Sequence, residues 1–257
     1  MRAIILAAGQ GLRLQQQPDR QFPKCLLRFD DVTLLERHLR LLAAAGVTDV
    51  TLVLGFQPGQ VHAELSNIGW PHPVHTALNP RFDLGSVLSV HCAAQALTRG
   101  GDVLLMDADV LYDERILAPL VAGATANRLL IDRDFEEGDE PVKLCLRHGA
   151  PVELRKQVAP DVQYDVMGES VGFFRFGETM ARRFAQIVQN YVEHGRANLP
   201  HEEAVRDLLQ ERGAQFDTAD VTGAPWLEID FPDDIARATQ QVLPQLRPLR
   251  AARLPTA

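Results

Sequence analysis

Arg2-Ala-Ile-Ile-Leu-Ala-Ala-Gly-Gln-Gly-Leu-Arg-Leu14, with Pro23-Lys24 following, is the stretch that decides the fold. An apolar run that breaks into small residues, two glycines and an arginine reads as a strand emptying into a backbone-lined loop. Such a loop presents main-chain N–H groups to phosphate oxygens and lets a flat base approach closely. Arg13 and Lys24 add cationic partners for a polyanion. The spacing is not G-x-G-x-x-G, because Leu14 stands at the third glycine's place, and no G-x-x-x-x-G-K-[ST] motif occurs. The implied ligand is a nucleoside triphosphate. The alternative is that Gly9 and Gly11 only turn the chain.

Outward from this strand, elements alternate. The pattern predicts a loop over 8–23, a helix over 33–45, a buried strand over 49–54, a helix near 58–67 and a strand near 73–77. A helix over 85–97 and the strand Asp102–Met106 follow. This alternation predicts a parallel sheet with right-handed crossovers, the opening strand central, and ligands at the carboxyl ends of the strands. From residue 126 the rhythm shifts to short strands at 129–131, 142–146, 152–154 and 170–176, a mixed or antiparallel extension suited to a second substrate. Helices over 178–194 and 201–212, a strand over 226–229 and a helix from 232 close the chain. The fold class expected is α/β, Rossmann-like: a mostly parallel mixed sheet flanked by helices, with a small antiparallel substrate-binding extension. One domain over 1–243 is expected, with a nucleotide half (1–125), an acceptor half (126–243) and a frayed tail over 244–257.

The 257 residues, 46% of them hydrophobic, suffice for one full core. A formal charge of -8 argues against a nucleic-acid partner, so a nucleotide site must collect its positive charge locally. Cys25, Cys92 and Cys145 form no Cys-x-x-Cys pair and suggest neither zinc nor a disulfide framework. They fit reduced thiols packed as small apolar groups, including Cys25 beside Lys24. The opening apolar run is too short for a signal peptide or a membrane span, and a cytoplasmic protein without a membrane partner is expected.

Two further constellations carry chemistry. In Leu104-Leu-Met-Asp107-Ala-Asp109-Val-Leu, carboxylates end an apolar strand, where a metal or cation is their natural partner. A helix cap at Asp109 is the alternative. In Trp226-Leu-Glu228-Ile-Asp230-Phe-Pro-Asp233-Asp234, a strand again ends in Asp, and Pro232 with two acids starts a helix. Asp230, before that turn, is the metal candidate. His201 with Glu202 and Glu203 after Pro200 reads as an ordinary helix start.

Together these stretches resemble the sugar-phosphate nucleotidyltransferase superfamily over almost the whole chain. The opening is similar to its L-A-A-G-x-G-x-R-L…P-K pattern through Leu6–Lys24, and Ala-Asp109-Val-Leu and Asp230 match its two metal aspartates. The resemblance implies one or two Mg²⁺, nucleotidyl transfer and pyrophosphate release. It assigns Leu6, Ala7, Ala8, Gly9, Gly11, Asn79, Gly85, Ser86 and Asp107 to the nucleotide, with Arg13 and Lys24 catalytic and Asp109 and Asp230 on the metal. Ile131-Asp-Arg-Asp-Phe135, Val142-Lys-Leu144, Arg155-Lys156, Gly168–Gly172 and the closing Trp-x-Glu-Ile-Asp resemble small cytidylyltransferases for phosphocholine, 2-aminoethylphosphonate or inositol phosphate.

The resemblance thus implies CTP and a small phospho- or phosphono-alcohol, in a monomer or homodimer. Lys143 and Lys156 are candidates for the acceptor phosphate, Glu169 for an acceptor amine or hydroxyl, and Tyr112, Trp226 and Phe82 for cation–π contact. Solvated lysines and an exposed turn acid are the plainer readings. With two Trp and three Tyr in the chain, a full aromatic cage is not evident, favouring a primary amine or uncharged alcohol over choline. The acidic run Asp134–Glu140 either draws in a cation or forms a solvated turn. The acceptor is already anionic, so alignment and charge neutralisation carry the reaction. Alternatives are a hexose-1-phosphate uridylyl- or guanylyltransferase, a cofactor-forming cytidylyltransferase and a catalytically silent nucleotide sensor. A dinucleotide oxidoreductase lacks its third glycine here.

Overall fold

The computed structural model describes residues 1–14, 22–123 and 125–249. Parts of the opening-loop and tail expectations, 15–21 and 250–257, lie outside the described residues. The first half contains β1 (Arg2–Ala7), β2 (Arg28–Phe29), β3 (Val32–Thr33), α1 (Leu34–Ala44), β4 (Val50–Leu54), α2 (Pro58–Asn67) and β5 (Val74–Leu78). Next come α3 (Ser86–Cys92), α4 (Ala94–Thr98), β6 (Val103–Asp107), β7 (Val110–Tyr112) and α5 (Glu114–Ala122). The second half contains β8 (Arg128–Asp132), β9 (Lys143–Arg147), β10 (Ala150–Arg155), β11 (Val166–Phe176), α6 (Glu178–Glu193), α7 (His201–Arg212), β12 (Asp217–Asp220), β13 (Trp226–Glu228) and α8 (Pro232–Arg237).

The main sheet runs β10-β9-β11-β6-β1-β4-β5, with β8 also paired to β11 and β12 to β8. Parallel pairing joins β1 to β4 and β6, and β4 to β5, so the opening strand is central, as expected. β11 runs antiparallel to β6, β8 and β9, and thereby attaches the extension of the second half. The expected α/β class, a mostly parallel sheet with a small antiparallel part, is the class observed.

Alternation along β1 divides the core. Ile4 faces one side with Val53, Leu105, Phe174 and residues of α6 and α7. Ala3 and Ile5 face the other side with Leu52, Leu104 and Leu39 of α1. A third cluster under the C-terminal segment joins Leu14, Phe29 and Leu34 to Ile229 and Val242.

Three expectations change. The helix foreseen over 85–97 is two, broken at Ala93. The helix after β7 is capped by Asp113, whose side chain accepts from Arg115 N, which leaves Asp109 free of any capping role. Of the tail, residues 244–249 are not frayed as far as described: Arg247 N donates to Asp113 Oδ2 at 3.1 Å, and Arg115 donates to Gln245 O at 2.6 Å.

Candidate functional site

β7 and β13 form a two-stranded antiparallel sheet in which Glu228 pairs with Val110, and Ile229 N donates to Asp109 O at 2.9 Å. This register carries Glu228 and Asp230 to the end of β6, beside Asp109. The three carboxylates each offer an oxygen within 4.8 Å of the others. Asp234, in the first turn of α8, accepts from Asp230 N at 3.0 Å and Phe231 N at 2.8 Å, fixing the turn that presents Asp230.

Lys24 enters this cluster from the turn after the opening loop. Its Nζ donates to Asp109 Oδ2 at 2.9 Å and Asp230 Oδ1 at 2.5 Å. Burial works against its charge, but Asp109 and Asp230 more than offset it and hold the ammonium above its ordinary pKa. Gly11 (φ 64) is required here twice over: its backbone is left-handed, and a Cβ would stand 2.7 Å from Lys24 Cγ. Arg13 donates to Asp230 Oδ2 at 2.6 Å and Glu140 Oε2 at 2.9 Å, with its guanidinium 4.9 Å from the centre of the Phe231 ring. Glu228, open to the neighbouring cavity but walled elsewhere by protein, has its carboxyl pushed well up by desolvation and by Asp109 and Asp230.

Two cavities flank the cluster. One, about 350 Å³, is lined by Gly9, Gly11, Arg13, Lys24, Phe82 and Asp109. The other, about 600 Å³, is acidic: ten of its lining residues are Asp or Glu, with Arg237 the cation among them. Glu169, Trp226, Phe135 and Phe231 also line it. Trp226 Nε1 donates to Asp132 Oδ2 at 2.8 Å, which fixes the indole in the wall. Desolvation, then the Asp132 charge, pushes the Glu169 carboxyl up to about 7.

The structure thus brings Gly9, Gly11, Arg13, Lys24, Asp109 and Asp230 together, with Glu169 and Trp226 next door. Leu6, Ala7 and Ala8 form the strand end beneath the loop. Lys143 Nζ donates to Gly138 O and Lys156 O, and Lys156 pairs with Glu140 at 2.8 Å. Both lysines therefore tether the acidic loop over the larger cavity.

Other expected contacts do not form. Tyr112 is 0% exposed, its hydroxyl 3.1 Å from His38 Nδ1 and its ring against Phe173. It is a core residue: β7 is buried at every position, and Tyr112 packs in one cluster with Val110 and Phe173. Asn79 is likewise 0% exposed; its amide donates to Ser89 Oγ and its oxygen accepts from Arg81 N, which holds it beneath the surface. Gly85 abuts the backbone of Asn198 and Leu199, and Ser86 Oγ accepts from His201 N at 2.8 Å. Those two residues secure α3 against α7 and do not line the glycine-loop cavity. Asp107 points toward α7, its carboxyl pushed well up by desolvation and by Glu202. Cys25 is core, its thiol pushed up to about 12 by burial and then Asp109.

Sequence reasoning missed Glu228, Phe231 and the coupling of Glu140 to Arg13. For Glu228 a signal existed: Trp226, Glu228 and Asp230 alternate on one face.

Residues 3–163 match the profile of the MobA-like NTP transferase domain. The CMP-5'-(3-aminopropyl)phosphonate synthase of Streptomyces rubellomurinus is 26% identical over 242 residues, covering 93% of this chain and 38% of that protein. The bifunctional IPC transferase and DIPP synthase of Rubrobacter xylanophilus is 28% identical over 247 residues, covering 94% of this chain and 52% of that protein. The chain therefore spans about half or less of the length of these relatives. Among solved structures, the inositol-1-phosphate CTP transferase from T. maritima superposes with a TM-score of 0.74 at 19% identity, covering 95% of each chain, and has the same fold.

Proposed function

The chain belongs to the MobA-like NTP transferase domain family, and we propose that it transfers CMP from CTP to a small phosphonate or phosphate carrying a cationic amine, releasing pyrophosphate. One observation carries this reading: Asp230 belongs both to the cluster around Lys24 and to the wall of the acidic cavity. A triphosphate in the glycine-loop cavity and an amine in the acidic cavity would then meet at one point. The similarity to a synthase of a CMP-aminopropylphosphonate supports both halves of the reading.

The acceptor oxygen is an anion at neutral pH and attacks the α-phosphorus in line without a general base. The protein's work is alignment and neutralisation. Arg13, backed by Phe231, and Lys24 face the triphosphate and offset charge growing on the leaving pyrophosphate. The all-oxygen donor set of Asp109, Glu228 and Asp230, already gathered around the Lys24 ammonium, suits a hard divalent cation. Mg²⁺ held there would supply further charge neutralisation and polarise the P–O bonds. Trp226 and Glu169 orient the acceptor's amine by ring face and carboxylate.

Pyrophosphate release measured over CTP, UTP, GTP and ATP, each against aminoalkylphosphonates, phosphocholine, inositol phosphate and glucose 1-phosphate, tests the proposal. The account expects CTP with an amine-bearing acceptor to turn over fastest. Preference for a hexose phosphate or another nucleotide refutes it.

A further inference from the structure

A second set of ligating side chains makes no ion pair with Lys24, whose partners among the described residues are Asp109 and Asp230. Asp107 at the end of β6, and His201 and Glu202 at the start of α7, each offer a ligand atom, and the three atoms lie within 4.8 Å of one another. His201 is 2% exposed. Its Nε2 and Glu202 Oε2 are both buried and have no hydrogen-bond partner among the described residues. Ser86 holds the imidazole in place: its Oγ accepts from His201 N at 2.8 Å and stands 3.0 Å from His201 Nδ1. Gly172 makes room for Asp107, since a Cβ there would stand 2.5 Å from Asp107 Oδ2.

An ordinary helix start does not account for this arrangement. Glu203, the next residue, pairs outward with Arg155 at 2.7 Å, whereas Glu202 turns toward His201, its Oε2 3.2 Å from Nδ1. Two carboxylates converging on an imidazole repel each other, and the buried Nε2 of His201 loses its hydration without return. A divalent cation removes both penalties. The donor set selects among cations: one imidazole with two carboxylates suits a borderline ion, whereas Mg²⁺ prefers oxygen alone.

We propose that Asp107, His201 and Glu202 form a binding site for a divalent ion of the zinc class, separate from the Asp109–Glu228–Asp230 cluster. The hydroxyl of Ser86 fixes the ring, as a hydrogen-bond partner of a metal-bound histidine does. Three protein ligands leave one position of a tetrahedral ion open.

The test is titration of the metal-stripped full chain with Co²⁺, read by its d–d absorption, and with Zn²⁺, read by calorimetry. Two classes of site are expected. Glu202→Gln and His201→Gln should each weaken one class at least tenfold, and Asp230→Asn should weaken only the other. Glu202→Gln keeps the test decisive if His201→Gln fails to fold, because the Glu202 side chain is 21% exposed. A single class of site in the unaltered chain, or a Glu202→Gln variant that titrates like it, overturns the proposal.

Discussion

Lys24 Nζ stands 2.5 Å from Asp230 Oδ1 although 206 positions separate them. That contact joins the loop after the first strand to the turn before the last helix, and so links the two halves of the chain at the site. The lysine occupies the space between carboxylates that a divalent cation also favours.

Lys24→Met removes this cation without removing the stem that packs under Gly11. Turnover should fall by roughly 10²- to 10³-fold, the scale for one transition-state charge partner. Mn²⁺ affinity at the carboxylate cluster should hold or rise, since the competing ammonium is gone. Steady-state rates and Mn²⁺ binding measured on one preparation check both effects.

Gly11→Ala tests the same lysine from its other side. The new methyl meets the Lys24 stem at 2.7 Å in a left-handed backbone position. Activity should fall well over tenfold. Adding Gly11→Ala to Lys24→Met should cost little further activity, because the two changes act on one group. A double-mutant cycle reads the coupling.

Glu169 predicts a pH dependence. Its carboxyl titrates near 7 because of burial and then Asp132, so it is neutral below that pH and anionic above it. The KM for an amine-bearing acceptor should therefore rise as pH falls below about 7, and acceptor binding should release a proton. Glu169→Gln should raise that KM and remove this pH dependence. In stability the sign is opposite. A carboxyl raised above its unfolded pKa contributes stability fully present below the unfolded value and lost as pH rises through about 7. Glu169→Gln should flatten that loss.

Tyr112→Phe separates core from site. It leaves the ring in place and removes the partner of the buried His38 Nδ1. A cost of about 1–2 kcal/mol in unfolding is expected, with acceptor KM unchanged. Denaturant melts together with acceptor titrations decide this, and a large KM change would return Tyr112 to the site.

The sequence made the parallel half legible because β1, β4 and β6 are continuous apolar runs, and the residues recognised at the site lie in the glycine loop, in Pro23-Lys24 or just past the end of such a run. Asp109 and Asp230 stood out as acids closing apolar strands. Asn79 and Tyr112 were misplaced for the opposite reason: a polar group near a motif looks available until its buried partner, Ser89 or His38, is known. β7 is three residues long and α5 contains Pro119, so neither rises above the local pattern. The pairing of β13 with β7, which carries Glu228 to Asp109, is tertiary and leaves no mark of its own in the chain.

The most direct measurement is ³¹P NMR of the protein incubated with CTP, Mg²⁺ and an aminoalkylphosphonate. The account predicts coupled resonances of a new phosphonate–phosphate anhydride appearing in step with an equal amount of pyrophosphate, and neither with Lys24→Met on the same timescale. Unchanged CTP beside every amine-bearing acceptor, while a sugar phosphate without an amine is consumed, would contradict it.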